Sequence, residues 1–287
     1  MAILEVKNLT HTYSDNAAFV NDAVRDVSFT VEKGEIIGII GHTGSGKSTL
    51  VQHLNGLLKP TLGNVFFDNE DIWKNPKEIR KIRSKVGLVF QYPEYQLFEE
   101  TVFEDISFGP KNMGLSGDEL KARVTDICKI VGVKPEYFEK SPFDLSGGEK
   151  RRVAIAGVMA MRPEVIVFDE PTAGLDPAGR ENVMQIIKDY REATGATVII
   201  ISHSMEDMAL LAEKVLVMNK GSLFMFDTPE NVFSKAEELK SIGLNVPIVT
   251  QVFAEIKAKG IQIDTSVYTV KKAVEVLKKL KEGNENA

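Results

Sequence analysis

The amino-acid sequence predicts an α/β fold, with a largely parallel central sheet whose strands alternate with helices. Three observations carry that prediction. Short continuous apolar runs, EIIGII at 35–40, VIVFD at 165–169 and TVIIIS at 197–202, have the length and composition of strands buried on both faces. Segments of helical periodicity separate them, as crossover connections between parallel strands require. The first run leads into a glycine-rich turn and then a helix-forming stretch, so strand, loop and helix follow one another directly.

The elements follow in order. ILEVKNLTHTY at 3–13 and VRDVSFTVEKG at 24–34 alternate apolar and polar residues and predict half-buried strands, an antiparallel edge that begins the domain. After the 35–40 strand a helix is expected from Lys47 to about Leu57. GNVFFDNEDI at 63–72 predicts a strand with an Asp-Asn turn, and VGLVFQ at 86–91 a buried strand ending on glutamine. Residues 92–144 read as a helical insert, with helices near 100–108 and 118–131; with the helix expected at 148–161 the helical lobe runs over about 92–160. A helix at 177–193 and a strand near 215–219 complete the repeating pattern, whose continuous apolar strands imply helices on both faces. The tail offers helical segments at 231–243, 247–260 and 270–283.

Composition narrows the function. The 287 residues are 43% hydrophobic and 26% charged, a globular balance at a length where cores begin to split into lobes. The 35 Lys and Arg against 41 Asp and Glu give a net charge of −6, with no overall attraction to a phosphate backbone, so no nucleic acid is expected as a partner. The apolar stretches are far shorter than the roughly 20 residues of a spanning helix and no cleavable signal is evident, so the chain is not expected to cross a membrane. A single cysteine, Cys128, forms no internal disulfide and suits a reducing compartment, and the four histidines form no spaced ligand cluster, so no transition-metal site is expected.

The strongest local signal is Gly41-His42-Thr43-Gly44-Ser45-Gly46-Lys47-Ser48-Thr49, which satisfies G-x-x-x-x-G-K-[ST] between a strand and a helix. Its small residues let the backbone N–H groups and the helix N-terminus surround phosphate oxygens, Lys47 reaches the terminal phosphates, and the Ser48 hydroxyl suits Mg²⁺. Mg²⁺ also needs a hard oxygen ligand from a neighbouring strand end, and Asp169 at the end of VIVFD supplies one. Glu170, one residue further, is placed to polarise a water. Leu145-Ser146-Gly147-Gly148-Glu149 reads either as a helix cap or as a set of anion donors.

Together, GHTGSGKST at 41–49, Gln91, LSGGE at 145–149, VIVFDEP at 165–171, AGLD at 173–176 and His203 resemble the ordered motifs of the ATP-binding cassette ATPases. The LSGGE element separates this family from other phosphate-loop proteins. The resemblance implies a phosphate-loop cassette with a RecA-like core, an antiparallel β subdomain, a helical subdomain and a small C-terminal extension. It implies that ATP and Mg²⁺ are bound, that Tyr13 stacks on adenine, and that Ser48, Gln91 and Asp169 lie on the metal side. It further implies that Lys47 and His203 contact the γ-phosphate, that Glu170 positions water, and that Leu145–Glu149 and Asp176 act across a head-to-tail dimer.

Three longer stretches, 41–60, 90–114 and 151–165, are similar to the ATPase subunits of energy-coupling factor transporters, which import vitamins and transition-metal ions. His42 and the QHLNGLLKP continuation resemble the second of their two ATPase types. The resemblance covers residues 3–229 and implies a cassette at 1–229 with an accessory domain at 230–287. It implies three partners: a second homologous ATPase subunit, a transmembrane coupling subunit and an interchangeable membrane substrate-binding subunit. The implied location is the cytoplasmic side of the cell membrane. Tyr92, Glu94, Tyr95, Phe98, Glu99 and Glu100 are either docking anchors for those partners or an ordinary folded turn. Two other readings share the phosphate-loop chemistry: a conventional ABC importer ATPase, and a soluble ATP-dependent clamp in nucleic-acid repair or translation. The single cassette, the lack of a long coiled-coil insertion and the negative charge weigh against the clamp.

Overall fold

A computed structural model describes residues 1–14 and 20–285. Strands β1 (Ala2–Ser14) and β2 (Val20–Glu32) pair antiparallel, and β3 (Ile36–Ile40) leads through the glycine-rich loop into helix α1 (Lys47–Leu54). The expected 63–72 strand is a hairpin of β4 (Leu62–Phe67) and β5 (Glu70–Asp71), whose turn residues Asp68 and Asn69 both take positive φ. Helix α2 (Ile79–Lys85) precedes β6 (Val86–Val89), and the helical lobe follows as α3 (Val102–Asn112), α4 (Gly117–Val131) and α5 (Gly147–Met159). Then come β7 (Val165–Asp169), α6 (Pro177–Thr194), β8 (Thr197–Ile201), α7 (Met205–Leu211), β9 (Lys214–Asn219) and β10 (Ser222–Asp227).

The strands form two sheets. β1 and β2 belong to a separate four-stranded antiparallel sheet of order β2-β1-β4-β5, the antiparallel β subdomain that the resemblance implies. The main sheet has six strands in the order β10-β9-β3-β8-β7-β6; β10 pairs antiparallel with β9 and the other pairings are parallel. Helices α2 and α7 and strand β10 carry no strong periodicity in the sequence; β10 is half-exposed along most of its length.

The period-two alternation of the buried strands assigns their two faces. Ile36, Ile40, Ile166, Phe168, Val198 and Ile200 share one core with α5, α6 and α7, as expected for a helix-covered face. Ile37, Ile39, Val165, Val167, Ile199 and Ile201 face the opposite core. Here the cover differs from the expectation of helices on both faces. Leu50, Val51 and Leu54 of α1 share that core with Leu4, Val6, Leu9, Val27 and Val31 of the antiparallel sheet, because a sheet with one apolar face buries a neighbour's strands as well as a helix does.

The expected 231–243 helix is two, α8 (Pro229–Ser234) and α9 (Ala236–Ser241), separated at Lys235, whose φ of −91° and ψ of 47° lie outside the helical region. Val232, Phe233, Leu239, Leu244 and Val246 join the large helical core. Beyond them α10 (Ile248–Ala258) and α11 (Val270–Glu285) enclose a small core of Phe253, Ile263, Val267 and Ala273. Among the described residues no helix is long and apolar enough to cross a membrane.

Leu50 is fully buried where α1 meets both sheets. Leu50→Ala is expected to cost about 2–5 kcal/mol, the usual loss for truncating a core leucine, measured as a lower urea midpoint; an unchanged midpoint would contradict this packing.

Candidate functional site

Four connections leave the carboxyl ends of adjacent parallel strands: the glycine-rich loop after β3, Gln91 after β6, Glu170 after β7 and His203 after β8. This edge is where open α/β sheets bind ligands.

The loop is shaped by close backbone approaches. Gly46 caps α1 with φ 96°, and a Cβ there would lie 2.2 Å from the carbonyl oxygen of Ala23 on β2. A Cβ on Gly41 would lie 2.5 Å from the Met218 carbonyl oxygen. The nearly buried Lys47 closes the loop from inside, its Nζ donating to the carbonyls of Gly41 at 2.8 Å and His42 at 3.0 Å. The β9–β10 turn holds the loop from outside. Gly221 N–H donates to the Ser45 carbonyl at 3.1 Å and the Gly221 carbonyl accepts from Arg25 N–H at 2.7 Å, while His42 Nε2 lies 3.3 Å from Asn219 Oδ1. The Ser45 side chain is fully buried, and among the described residues its Oγ has no hydrogen-bond partner.

A cavity of about 740 Å³ opens above this loop, within the range of small-molecule sites. Thr43, Gly44, Gly46, Lys47, Ser48 and Thr49 form its floor, and Tyr13, Gln91, Glu170 and His203 its walls. Gly41, His42 and Ser45 do not line it; they are the loop's fastenings. Tyr13 Oη is 3.4 Å from Thr49 Oγ1, and its ring meets the edge of His11 at 4.5 Å. His11 in turn contacts the buried His53, whose Nδ1 lies 2.7 Å from the Thr49 carbonyl. Burial drives His53 down to about 4, so it is neutral and ties α1 to the strand that carries Tyr13.

Glu170 is the convergence point. Its carboxylate accepts from Gln91 Nε2 at 3.3 Å and lies 2.8 Å from His203 Nε2. Its backbone is left-handed, with φ 50°, which costs on the order of 1–3 kcal/mol in a non-glycine residue and marks sites where the surroundings over-determine the chain. Asp169 lies beneath, nearly buried and hydrogen-bonded to Ser48. Burial pushes its carboxyl above the usual range, against the pull of Ser48 and Lys47. Burial likewise lowers Lys47, opposed by Glu170 and Asp169. Without a ligand the site disfavours both of these charges, which suits a polyanion accompanied by a cation. Ser48 and Asp169 offer hard oxygen donors side by side, a fit for Mg²⁺, which takes few protein ligands and keeps water. Among the described residues no three His, Cys, Asp or Glu side chains gather into an all-protein metal cage.

The remaining expected residues lie elsewhere. Leu145 is buried in the helical core. Ser146 caps α5, and the Glu149 carboxylate accepts from Ser146 N–H at 2.9 Å and Oγ at 2.6 Å. The Ser146 hydroxyl, followed by that of Tyr137, holds Glu149 down to about 2. A Cβ on Gly147 or Gly148 would meet open space, so the start of α5 is free to approach another surface. Asp176 caps α6 by accepting from Gly179 N–H at 2.7 Å. Among the described residues, neither 145–149 nor Asp176 lines the cavity.

Sequence reasoning missed Arg25 and Lys220, which also line the cavity. Lys220-Gly221, with φ of 48° and 82°, is a tight hairpin turn; its signal is the Asn-Lys-Gly that follows an apolar strand. Of the aromatic and acidic run, Tyr95 and Phe98 are exposed, whereas Glu94 turns inward onto the buried Arg151. Phe98 edges an apolar groove of about 810 Å³ with Leu97, Phe108, Met113 and Met161, rimmed by Arg80 and Arg83.

Residues 24–173 match the family model described as ABC transporter. The chain is 48% identical over 283 residues to the energy-coupling factor transporter ATP-binding protein EcfA2 of Caldanaerobacter subterraneus subsp. tengcongensis, covering 99% of each chain. Among solved structures, cbiO1 of Clostridium perfringens, part of the cbiONQ ABC transporter complex, aligns with a TM-score of 0.74 at 39% identity over 84% of this chain and 94% of that one. The dimeric ATP-binding cassette MJ0796 in a post-hydrolysis state with ADP and Pi aligns with a TM-score of 0.71 at 31% identity over 79% of this chain and 98% of that one.

Because Asp169 titrates higher in the folded chain than in the unfolded one, its charge opposes folding at neutral pH, and that penalty fades as pH falls through the carboxylate range. Asp169→Asn should therefore raise the thermal midpoint of the nucleotide-free chain at pH 7, with the gain shrinking in acid. A lower midpoint at pH 7 would contradict the assignment.

Proposed function

This chain belongs to the energy-coupling factor transporter ATP-binding proteins of the ABC transporter family, and from that premise we propose that it hydrolyses ATP to power uptake of a vitamin or transition-metal ion through a membrane complex. The observation that carries the proposal is the grip of Gln91 and His203 on Glu170 above the phosphate loop. In it a general base, a polar amide and an imidazole meet where a terminal phosphate on Lys47 would end.

The triphosphate binds through the backbone N–H groups of Thr43, Gly44, Gly46 and Lys47–Thr49 at the N-terminus of α1, with Lys47 on the terminal phosphates and the adenine on Tyr13. Ser48 and Asp169, with Gln91 nearby, would hold Mg²⁺, which would neutralise phosphate charge. Glu170 orients and polarises the attacking water, and His203 donates to the γ-phosphate. These are positioning and electrostatic tasks, and no covalent nucleophile is required. Leu145–Glu149 and Asp176 serve a partner's nucleotide: Ser146 and the Gly147-Gly148 backbone at the start of α5 supply anion donors, and Leu145 anchors that start in the core.

The partners in this reading are a second homologous ATPase subunit, a transmembrane coupling subunit and an interchangeable substrate-binding membrane subunit, with this chain peripheral on the cytoplasmic face of the cell membrane. The exposed Tyr95 and Phe98 beside the apolar groove support docking of the coupling subunit there. Residues 1–229 act as the cassette and 230–287 as an accessory region. Glu170→Gln is expected to retain ATP binding and to lose hydrolysis by at least about 100-fold, the scale of removing a positioned base, measured as phosphate release from the purified complex. Normal phosphate release would overturn the role of Glu170.

A further inference from the structure

Arg151 lies on α5, one turn beyond the Ser146 cap, and its side chain is only 4% exposed. A buried guanidinium is stable only when its donors are matched, and here they reach two separate segments. Nε and one terminal nitrogen fork onto the Glu94 carboxylate at 2.9 and 2.7 Å. The other terminal nitrogen donates to the carbonyls of Ala173 at 2.9 Å and Pro171 at 3.4 Å. The guanidinium carbon also stands 5.8 Å from the centre of the Tyr92 ring.

Both segments contain a strained residue next to a site residue. Tyr92, which follows Gln91, is left-handed with φ 54° and opens the 3₁₀ turn Pro93–Gln96 that carries Glu94. Glu170, left-handed with φ 50°, opens the turn closed by Ala173 N–H on the Glu170 carbonyl at 3.1 Å. Such backbones persist only when their surroundings over-determine them. Arg151 contacts the turn after each, so one guanidinium sets the relative position of the two loops whose side chains meet as Gln91 and Glu170.

We propose that Arg151 and Glu94 form a positioning pair that fixes the loop after Gln91 relative to the loop after Glu170 and passes displacement of the exposed Tyr95–Phe98 turn to the hydrolytic carboxylate. The pair touches no substrate. It deepens the reading of Glu170 as the water-orienting group and rests on it. Arg151 stands on α5, whose start is the LSGGE element, so one side chain links the surface turn, the Glu170 loop and that element.

The test is Arg151→Lys in the purified membrane complex. Lysine keeps the buried positive charge, and so the fold, but as a point donor it cannot hold the Glu94 carboxylate and the 171–173 carbonyls together. The expected result is a kcat about 10- to 100-fold lower, as for a small misplacement of catalytic groups, with the Kd of a fluorescent ATP analogue within about twofold of wild type. Glu94→Gln is expected to give a smaller loss of the same kind, and the double variant no more loss than Arg151→Lys alone, as for residues acting as one unit. A kcat for Arg151→Lys equal to wild type, or kcat and nucleotide affinity falling together, would overturn the proposal. Glu170→Gln, assayed in parallel, separates the two readings. If it abolishes hydrolysis while Arg151→Lys is normal, only the positioning role fails; if it hydrolyses normally, both readings fail.

Discussion

The contact of Glu170 with Gln91 and His203 is the constraint on which the rest of the site depends. It joins the carboxyl ends of three parallel strands, β6, β7 and β8, at one carboxylate. Those strands are buried on both faces, by helices on one side and by α1 with the antiparallel sheet on the other, so their ends have little freedom. The strained Glu170 backbone follows from this, since a residue leaving a fixed strand must turn sharply to present its side chain beside a neighbouring strand's histidine.

The electrostatics complement the geometry. Lys47 and Asp169 are both held in directions that disfavour their charges, because burial outweighs their mutual attraction. A site built this way is incomplete alone. A triphosphate supplies counter-charge for Lys47, and a hard cation supplies it for Asp169, so binding relieves both penalties. The start of α5, capped by Ser146 and Glu149, leaves open space around Gly147 and Gly148. Helix ends of this kind suit anions, and this chain's own cavity does not use this one.

The parts legible in the sequence are those written in local pattern. The buried strands, the phosphate loop and the strand-ending Asp169-Glu170 are contiguous motifs whose chemistry dictates their surroundings. Relations between distant segments were not legible in local pattern alone, although the family resemblance implied the antiparallel subdomain. That β1 and β2 build a second sheet over α1 depends on which apolar face meets which, and alternation alone does not specify a partner. Lys220 and Arg25 reach the cavity only because the β9–β10 turn folds back onto the loop, and half-exposed β10 gave no strong periodicity to announce it. Arg151 reads as one more charge on a helix, and Glu94 as one more surface acid, until the fold buries them together.

In the proposed reaction the Glu170 contacts are a resting arrangement which the nucleotide's terminal phosphate rearranges. The most direct measurement is a structure of the assembled complex with Mg²⁺ and a non-hydrolysable ATP analogue. The account predicts the γ-phosphate on Lys47, with Gln91 and His203 turned from Glu170 toward phosphate and metal, and Glu170 facing the position of the attacking water. A triphosphate bound away from Lys47, with Glu170 still held by both Gln91 and His203, would contradict it.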